Sequence, residues 1–120
     1  MRTHILFFFV LFFSCKTKDI NTEKIYQKEE WVTAYKKAVA IKCMEKSGIN
    51  LEKDNSGAIL FEVLGSDLNI LKEIDSLGNV YANEILKSPS YFEGKPIMTK
   101  VLNLYSSKKL DSLARVRYNN

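Results

Sequence analysis

Apolar and polar residues recur with a helical period through most of the chain after residue 22. Between Glu23 and Lys46, apolar residues return at steps of three, four and seven, and lysines and glutamates occupy the opposite face. This pattern predicts an amphipathic helix of about six turns. Ser47-Gly48 ends it, because glycine readily adopts the left-handed conformation past a last helical turn. The predicted core positions are Ile25, Trp31, Val32, Ala34, Tyr35, Ala38, Val39, Ile41 and Cys43.

Four shorter helices are predicted beyond this point, separated by polar or glycine-containing breaks. A polar loop at 50–56 precedes the second helix and can cap it, Gly65-Ser66-Asp67 separates the second from the third, and Ser88-Pro89 ends the third. Pro96 fits the first turn of the fourth helix, and Ser106-Ser107 separates it from the fifth. The predicted apolar faces are Ile59, Leu60, Val63 and Leu64; Leu68, Leu71, Ile74, Leu77, Tyr81 and Ile85; Ile97, Met98, Val101, Leu102 and Tyr105; and Leu110, Leu113 and Ala114.

The fold class that follows is all-α, a compact bundle of about five helices. No segment keeps the period of two that a strand requires, and no internal repeat is present. Gly78 lies inside the third predicted helix, where glycine costs about 1 kcal/mol relative to alanine. We therefore expect a kink between Ser76 and Asn79.

The amino-terminal segment has a different composition from the rest of the chain. Nine apolar residues, Ile5 to Phe13, follow a short stretch with one basic side chain, Arg2. This run is too short to cross about 30 Å of hydrocarbon as a helix, and its length and flanks are typical of a signal peptide. A buried amino-terminal helix is the alternative. The predicted organisation is a signal peptide at 1–14, a lipidated cysteine with a polar tether at 15–22, and a single helical domain at 23–120.

Ser14-Cys15, directly after the apolar run, resembles the lipobox of bacterial lipoproteins, with Phe12 and Phe13 in place of the commoner leucine and small residue. The resemblance implies that Cys15 becomes the first mature residue and carries acyl chains, of which two or more anchor a protein stably. Lys16 after it points, by the same resemblance, to the outer membrane of a Gram-negative bacterium and so to the periplasm. Ordinary secretion, with Cys15 left as a thiol, is the alternative.

Composition excludes several classes of chemistry. The only histidine, His4, lies in the predicted signal peptide, so the mature chain has none for catalysis or metal ligation. Removal of the segment also takes away Arg2 and lowers the formal net charge from +4 to +3. Charges of both signs alternate without a basic stripe, which does not favour nucleic-acid binding. Cys43 would lack a histidine base as a nucleophile. We therefore expect no enzyme activity, no metal and no cofactor.

The most specific motif lies near the carboxyl terminus, in Leu104-Tyr105, Ser107 and Leu110-Asp111. It resembles the pattern Lys-Cys-x-x-Leu-Tyr-x-Ser-x-x-Leu-Asp of the type VI secretion amidase immunity proteins. The first helix is similar too, with an aromatic residue, a small apolar stretch and then Cys43, so the resemblance runs from about Trp31 to Leu113. It implies a small all-helical periplasmic protein that forms dimers. It also implies that the protein binds a secreted peptidoglycan amidase and blocks the active-site cleft of that enzyme.

One position departs from the family pattern. Val101 stands where relatives carry the second of two cysteines, and Cys43 matches the first. If those cysteines form a disulfide in relatives, its loss would cost this chain roughly 2–4 kcal/mol. The resemblance therefore predicts that Cys43 and Val101 touch in the core.

The remaining motif positions are interpreted as structural, and partner binding is assigned to loops. Leu104, Tyr105 and Leu110 are expected in the core, and Ser107 as a helix cap. For partner binding we select first Tyr91, Phe92 and Glu93, and second the loop residues Glu52 and Asp54. The aromatic pair could instead fold back onto the bundle. The alternative function is that of a small structural or accessory envelope lipoprotein.

Overall fold

The computed structural model describes residues 20–89 and 94–120, and these form five α-helices without a strand. The predicted fold class, an all-α bundle of about five helices, is confirmed. The helices are α1 (Ile20–Lys46), α2 (Ser56–Leu64), α3 (Leu68–Lys87), α4 (Ile97–Tyr105) and α5 (Lys108–Tyr118). α1 begins three residues before the predicted start at Glu23, so residues 20–22 of the predicted tether are helical.

The helix ends follow the local chemistry of the sequence. Gly48 and Gly65 adopt positive φ angles of 95° and 78° after α1 and α2. The side chain of Asp67 accepts a hydrogen bond from the backbone N–H of Asn69 at the start of α3. Pro96 occupies the position just before α4 rather than its first turn.

α1 is the central helix, because it packs against each of the other four. α3 packs along it most extensively, and α4 also contacts α3 and α5. A helix covered on several sides needs apolar or small residues around most of its circumference, and the middle of α1 has them. Its buried apolar residues are Val32, Ala34, Tyr35, Ala38, Val39, Ala40 and Cys43.

Gly78 sits where the backbone of α3 packs tightly against α1. A Cβ atom at this position would lie 2.5 Å from Cβ of Lys42, 3.0 Å from its carbonyl carbon and 3.1 Å from the backbone nitrogen of Cys43. α3 continues through Gly78 as a single helix. The glycine that lowers helix propensity therefore permits a helix–helix approach that any side chain would obstruct.

A polar network connects three helices at the edge of the core. The hydroxyl of Tyr35 on α1 donates a hydrogen bond to Oε1 of Glu73 on α3. Oε2 of Glu73 forms an ion pair with Nε of Arg117 on α5 at 3.0 Å. Burial, reinforced by the carboxylate of Glu73, holds the pKa of Tyr35 above its usual range. The phenol therefore stays protonated and keeps its role as donor.

Five residues predicted to lie in the core are mostly exposed instead, which corrects the stripes assigned from the sequence. Ile25 is 63% exposed, because it precedes the part of α1 that the other helices cover, and Leu68 is 68% exposed as the first residue of α3. The other three belong to α2 and α4, which flank α1 without closing over it: Ile59 (63%), Met98 (52%) and Leu102 (61%).

Substitution of Gly78 should test the close approach of α1 and α3. We expect Gly78→Ala to lower the free energy of unfolding by about 1–3 kcal/mol through overpacking. This is the net loss, after the gain of about 1 kcal/mol that alanine brings through its higher helix propensity. Urea denaturation followed by circular dichroism measures the difference.

Gly57 in α2 supplies the matched control, because a Cβ there would meet nothing within 4 Å. Gly57→Ala should be neutral or stabilise the protein by up to about 1 kcal/mol. Equal effects of the two substitutions would contradict the steric role of Gly78.

Candidate partner-binding surfaces

The described residues contain no exposed nucleophilic thiol and no metal-binding cluster. Cys43 is a free cysteine that is fully buried. Burial raises the pKa of its thiol, and the neighbouring hydroxyl of Ser47 opposes this only as the weaker effect. Within residues 20–89 and 94–120, no group of three His, Cys, Asp or Glu side chains could hold a metal ion.

The carboxyl-terminal motif forms the corner between α4 and α5 and packs it against α1. Leu110 is buried, and Leu104 and Tyr105 are partly buried against the core. The hydroxyl of Ser107 accepts a hydrogen bond of 3.2 Å from the backbone N–H of Leu110, which caps α5. Val101 is buried in the same core cluster as Cys43. These residues contribute mainly to packing.

Asp111, the last residue of the motif, docks α5 onto α1 through a chain of ion pairs. Its carboxylate lies 3.0 Å from Nζ of Lys36 and 2.7 Å from Nε of Arg115. Arg115 in turn makes two hydrogen bonds, of 2.6 and 3.0 Å, with the carboxylate of Glu29. Arg115 and then Lys36 lower the pKa of Asp111, and Arg115 lowers that of Glu29.

The loop between α1 and α2 presents two of the selected acidic residues to solvent. Both Glu52 and Asp54 are exposed. The backbone N–H of Glu52 donates to the side chain of Asn50 at 3.0 Å, and that of Ser56 donates to Oδ1 of Asp54 at 2.7 Å. Hydrogen bonding from the side chain and then the backbone of Ser56 lowers the pKa of Asp54. The loop is therefore held in shape by hydrogen bonds within itself and carries two exposed acidic side chains.

This acidic loop borders a pocket of about 410 Å³ between the carboxyl-terminal half of α1 and α2. Its rim carries three carboxylates, from Glu45, Glu52 and Asp54, against one ammonium, from Lys42. Nζ of Lys42 lies 2.8 Å from Glu45, so Glu52 and Asp54 supply the remaining negative charge. The apolar lining comes from Ala38, Ile41, Ile49, Leu51, Ala58 and Phe61.

The other predicted binding residues, Tyr91, Phe92 and Glu93, lie outside the described residues, as do Cys15 and the predicted signal peptide. The flanks of residues 90–93 are described. Nζ of Lys100 donates to the hydroxyl of Ser88, and Nζ of Lys95 donates to the carbonyl oxygen of Ser88 at 3.1 Å. These two bonds tie the end of α3 to the start of α4.

An apolar groove that the sequence did not reveal lies between α2 and α4, with α1 as its floor. Its volume is about 480 Å³. Ile59, Met98 and Leu102 line it, and their spacing in the sequence is the same as that of core residues. It is lined further by Lys37, Ala40, Ile41, Met44, Ser56, Leu60, Val101 and Tyr105.

The ion pairs of Asp111 should make stability depend on pH. Because its folded pKa is depressed, the carboxylate contributes stability above its unfolded pKa of about 4. That contribution is lost as the pH falls through the folded pKa. We expect Asp111→Asn to flatten the decline in unfolding free energy between about pH 5 and pH 2. Parallel pH profiles for the two proteins, measured by urea denaturation at low salt, would contradict this assignment.

The thiol of Cys43 should react only when the bundle opens. In a chain carrying Cys15→Ser, Cys43 is the single cysteine, and a chromogenic disulfide reagent should modify it slowly in buffer and rapidly in concentrated guanidinium chloride. The exposed position of Ser112 provides the control, since Ser112→Cys should add one thiol that reacts at once in buffer. Rapid modification of native Cys43 would show that it is accessible.

Neither the described helices nor the comparisons with known proteins assign a membrane span or a family to the chain. No helix in the described ranges is long and apolar enough to cross a membrane. No family model, no curated protein and no solved structure matches the chain.

Proposed function

We propose that this protein is an immunity protein that binds a type VI secreted peptidoglycan amidase and occludes its active site. It protects the producing cell from its own or a sibling's toxin. In this proposal the chain is exported, anchored at the outer membrane through lipidated Cys15, and exposed to the periplasm, where the toxin acts. It uses no catalytic residue and no cofactor.

The observation that carries the proposal is the acidic loop between α1 and α2. The peptide stems of peptidoglycan are anionic, so a cleft that binds them is complementary to carboxylates. Glu52 and Asp54 offer two exposed carboxylates on a loop shaped by its own hydrogen bonds. A preorganised loop loses less conformational entropy on binding than a flexible one. The loop is therefore suited to occupy a site built for an anionic peptide.

The packing of the carboxyl-terminal motif supports the same proposal. Leu104, Tyr105, Ser107 and Leu110 form the corner that holds α4 and α5 on α1. A short motif spread over a helical corner specifies a fold when its residues are buried or cap a helix, as they are here. The resemblance on which the proposal rests therefore involves residues that determine the architecture of this bundle.

The test is neutralisation of amidase toxins in the periplasm. Candidate secreted amidases, beginning with the product of any adjacent gene, are expressed there with and without this protein. We expect cells that express the cognate amidase to survive only when this protein is also present, and the two purified proteins to form a complex. Failure to protect cells from any of the amidases tested, or an envelope defect on deletion without any toxin, would contradict the proposal.

The contribution of the loop is tested by removing charge while keeping shape. Asp54→Asn retains the oxygen that accepts from Ser56, and Glu52→Gln retains the size of its side chain. We expect the double variant to bind the amidase about tenfold more weakly, mainly through slower association. The control is the double variant Glu23→Gln and Glu62→Gln, which removes the same charge from exposed helical positions. Equal losses in both would show that only net charge matters.

A further inference from the structure

The groove between α2 and α4 leaves three large apolar side chains exposed to solvent. Ile59 and Leu102, on opposite walls, are 63% and 61% exposed, and Met98 is 52% exposed beside Leu102. Contiguous exposed apolar patches of this kind mark interaction sites in soluble proteins.

The groove continues along α1 beyond α4. Lys37 and Leu60 line both this groove and a second depression of about 340 Å³ between α1 and α2. On α1 the joined surface runs from Tyr26 to Met44. At a rise of 1.5 Å per residue this stretch is about 27 Å long. Its length and its floor formed by a single helix fit an α-helix of about five turns, which is the helix-in-groove mode of recognition.

Charge defines the occupant further. Lys37 is the single charged residue that lines the groove between α2 and α4, and it is exposed. Glu30 lies seven residues earlier on the same face of α1, in the second depression. Neither side chain has an ion pair within the described part of the chain, whereas the neighbouring Glu29 is held by Arg115. The surface therefore offers one free cation and one free anion about 10 Å apart along the floor.

We infer that this surface, from Tyr26 to Met44 on α1 with its walls on α2 and α4, binds an amphipathic helix of a partner protein. The bound helix has one apolar face, a carboxylate opposite Lys37 and a cationic side chain two turns away, opposite Glu30. This inference rests on the proposed function only in that the partner is a protein. It adds a second contact surface to the acidic loop, on the other side of α2.

The test uses designed peptides, so that it does not depend on finding the amidase. The exported full chain is reconstituted in lipid nanodiscs, and empty nanodiscs correct for peptide bound to lipid. Three fluorescent 18-residue peptides share one composition: an amphipathic helix with the inferred charge order, the same helix with its acidic and basic residues exchanged, and a scrambled sequence. Fluorescence anisotropy should show the first binding about tenfold more tightly than the second, and the scrambled peptide not binding.

Variants of the protein locate the binding site. Lys37→Glu should remove the preference for the first charge order at that position, and Leu102→Ser should weaken binding of the first peptide several-fold. Val116 on α5 is the control, because it is 59% exposed and lies outside the groove, so Val116→Ser should leave binding unchanged. Equal binding of all three peptides, or an equal effect of Leu102→Ser and Val116→Ser, would overturn the inference.

Sedimentation distinguishes the competing occupant, a second copy of this chain. If the protein forms a dimer that Leu102→Ser dissociates, and the wild-type protein binds no peptide, then a second copy of this chain covers the groove and the inference fails.

The proposed function and the inference about the groove can fail separately. If the Leu102→Ser variant neutralises an amidase as well as the wild-type protein does, the proposed function stands and the groove has no part in it. If the groove binds the peptide but no amidase is neutralised, the inference stands and the proposed function fails.

Discussion

The whole architecture depends on α1 being surrounded by the other four helices. A helix in this position must present apolar or small side chains in several directions at once, and α1 does so between Val32 and Cys43. Ala34, Ala38 and Ala40 keep the neighbouring helices close, while Tyr35 and Val39 fill the spaces between them. The shorter helices need only one apolar face each, because each packs chiefly against α1. Stability of the bundle is thus concentrated on one segment of the chain.

Much of this fold could be predicted from the sequence, because its breaks are chemically explicit. Gly48, Gly65 and Asp67 terminate or start helices by mechanisms that act within a few residues. The reason for Gly78 could not be predicted in the same way. Gly78 allows α3 to approach Lys42, which is 36 positions away in the sequence. A helix-propensity scale considers only local sequence and therefore reports only that glycine destabilises the helix.

For a related reason, the acidic loop could be predicted from the sequence but the apolar groove could not. Glu52 and Asp54 are recognisable as exposed because a polar loop between helices has nowhere else to lie. Ile59, Met98 and Leu102 repeat at the spacing of core residues, and periodicity states which side of a helix is apolar without stating whether another element covers it. The groove therefore emerges only when α2 and α4 are placed on either side of α1. Its single charge, Lys37, is equally unremarkable until its apolar surroundings are known.

The early start of α1 has a mechanical consequence for the proposed lipid anchor. Five Cα–Cα steps separate Cys15 from Ile20, the first residue of α1, so these two Cα atoms can lie at most about 18 Å apart. The first turns of α1, residues 21–27, are exposed and continuous with the rest of the central helix. If Cys15 carries lipid, any force on the anchor would reach the core directly along the axis of α1. The bundle would stand close to the bilayer with a restricted range of orientations, and a large enzyme would have to approach it from the side facing away from the membrane.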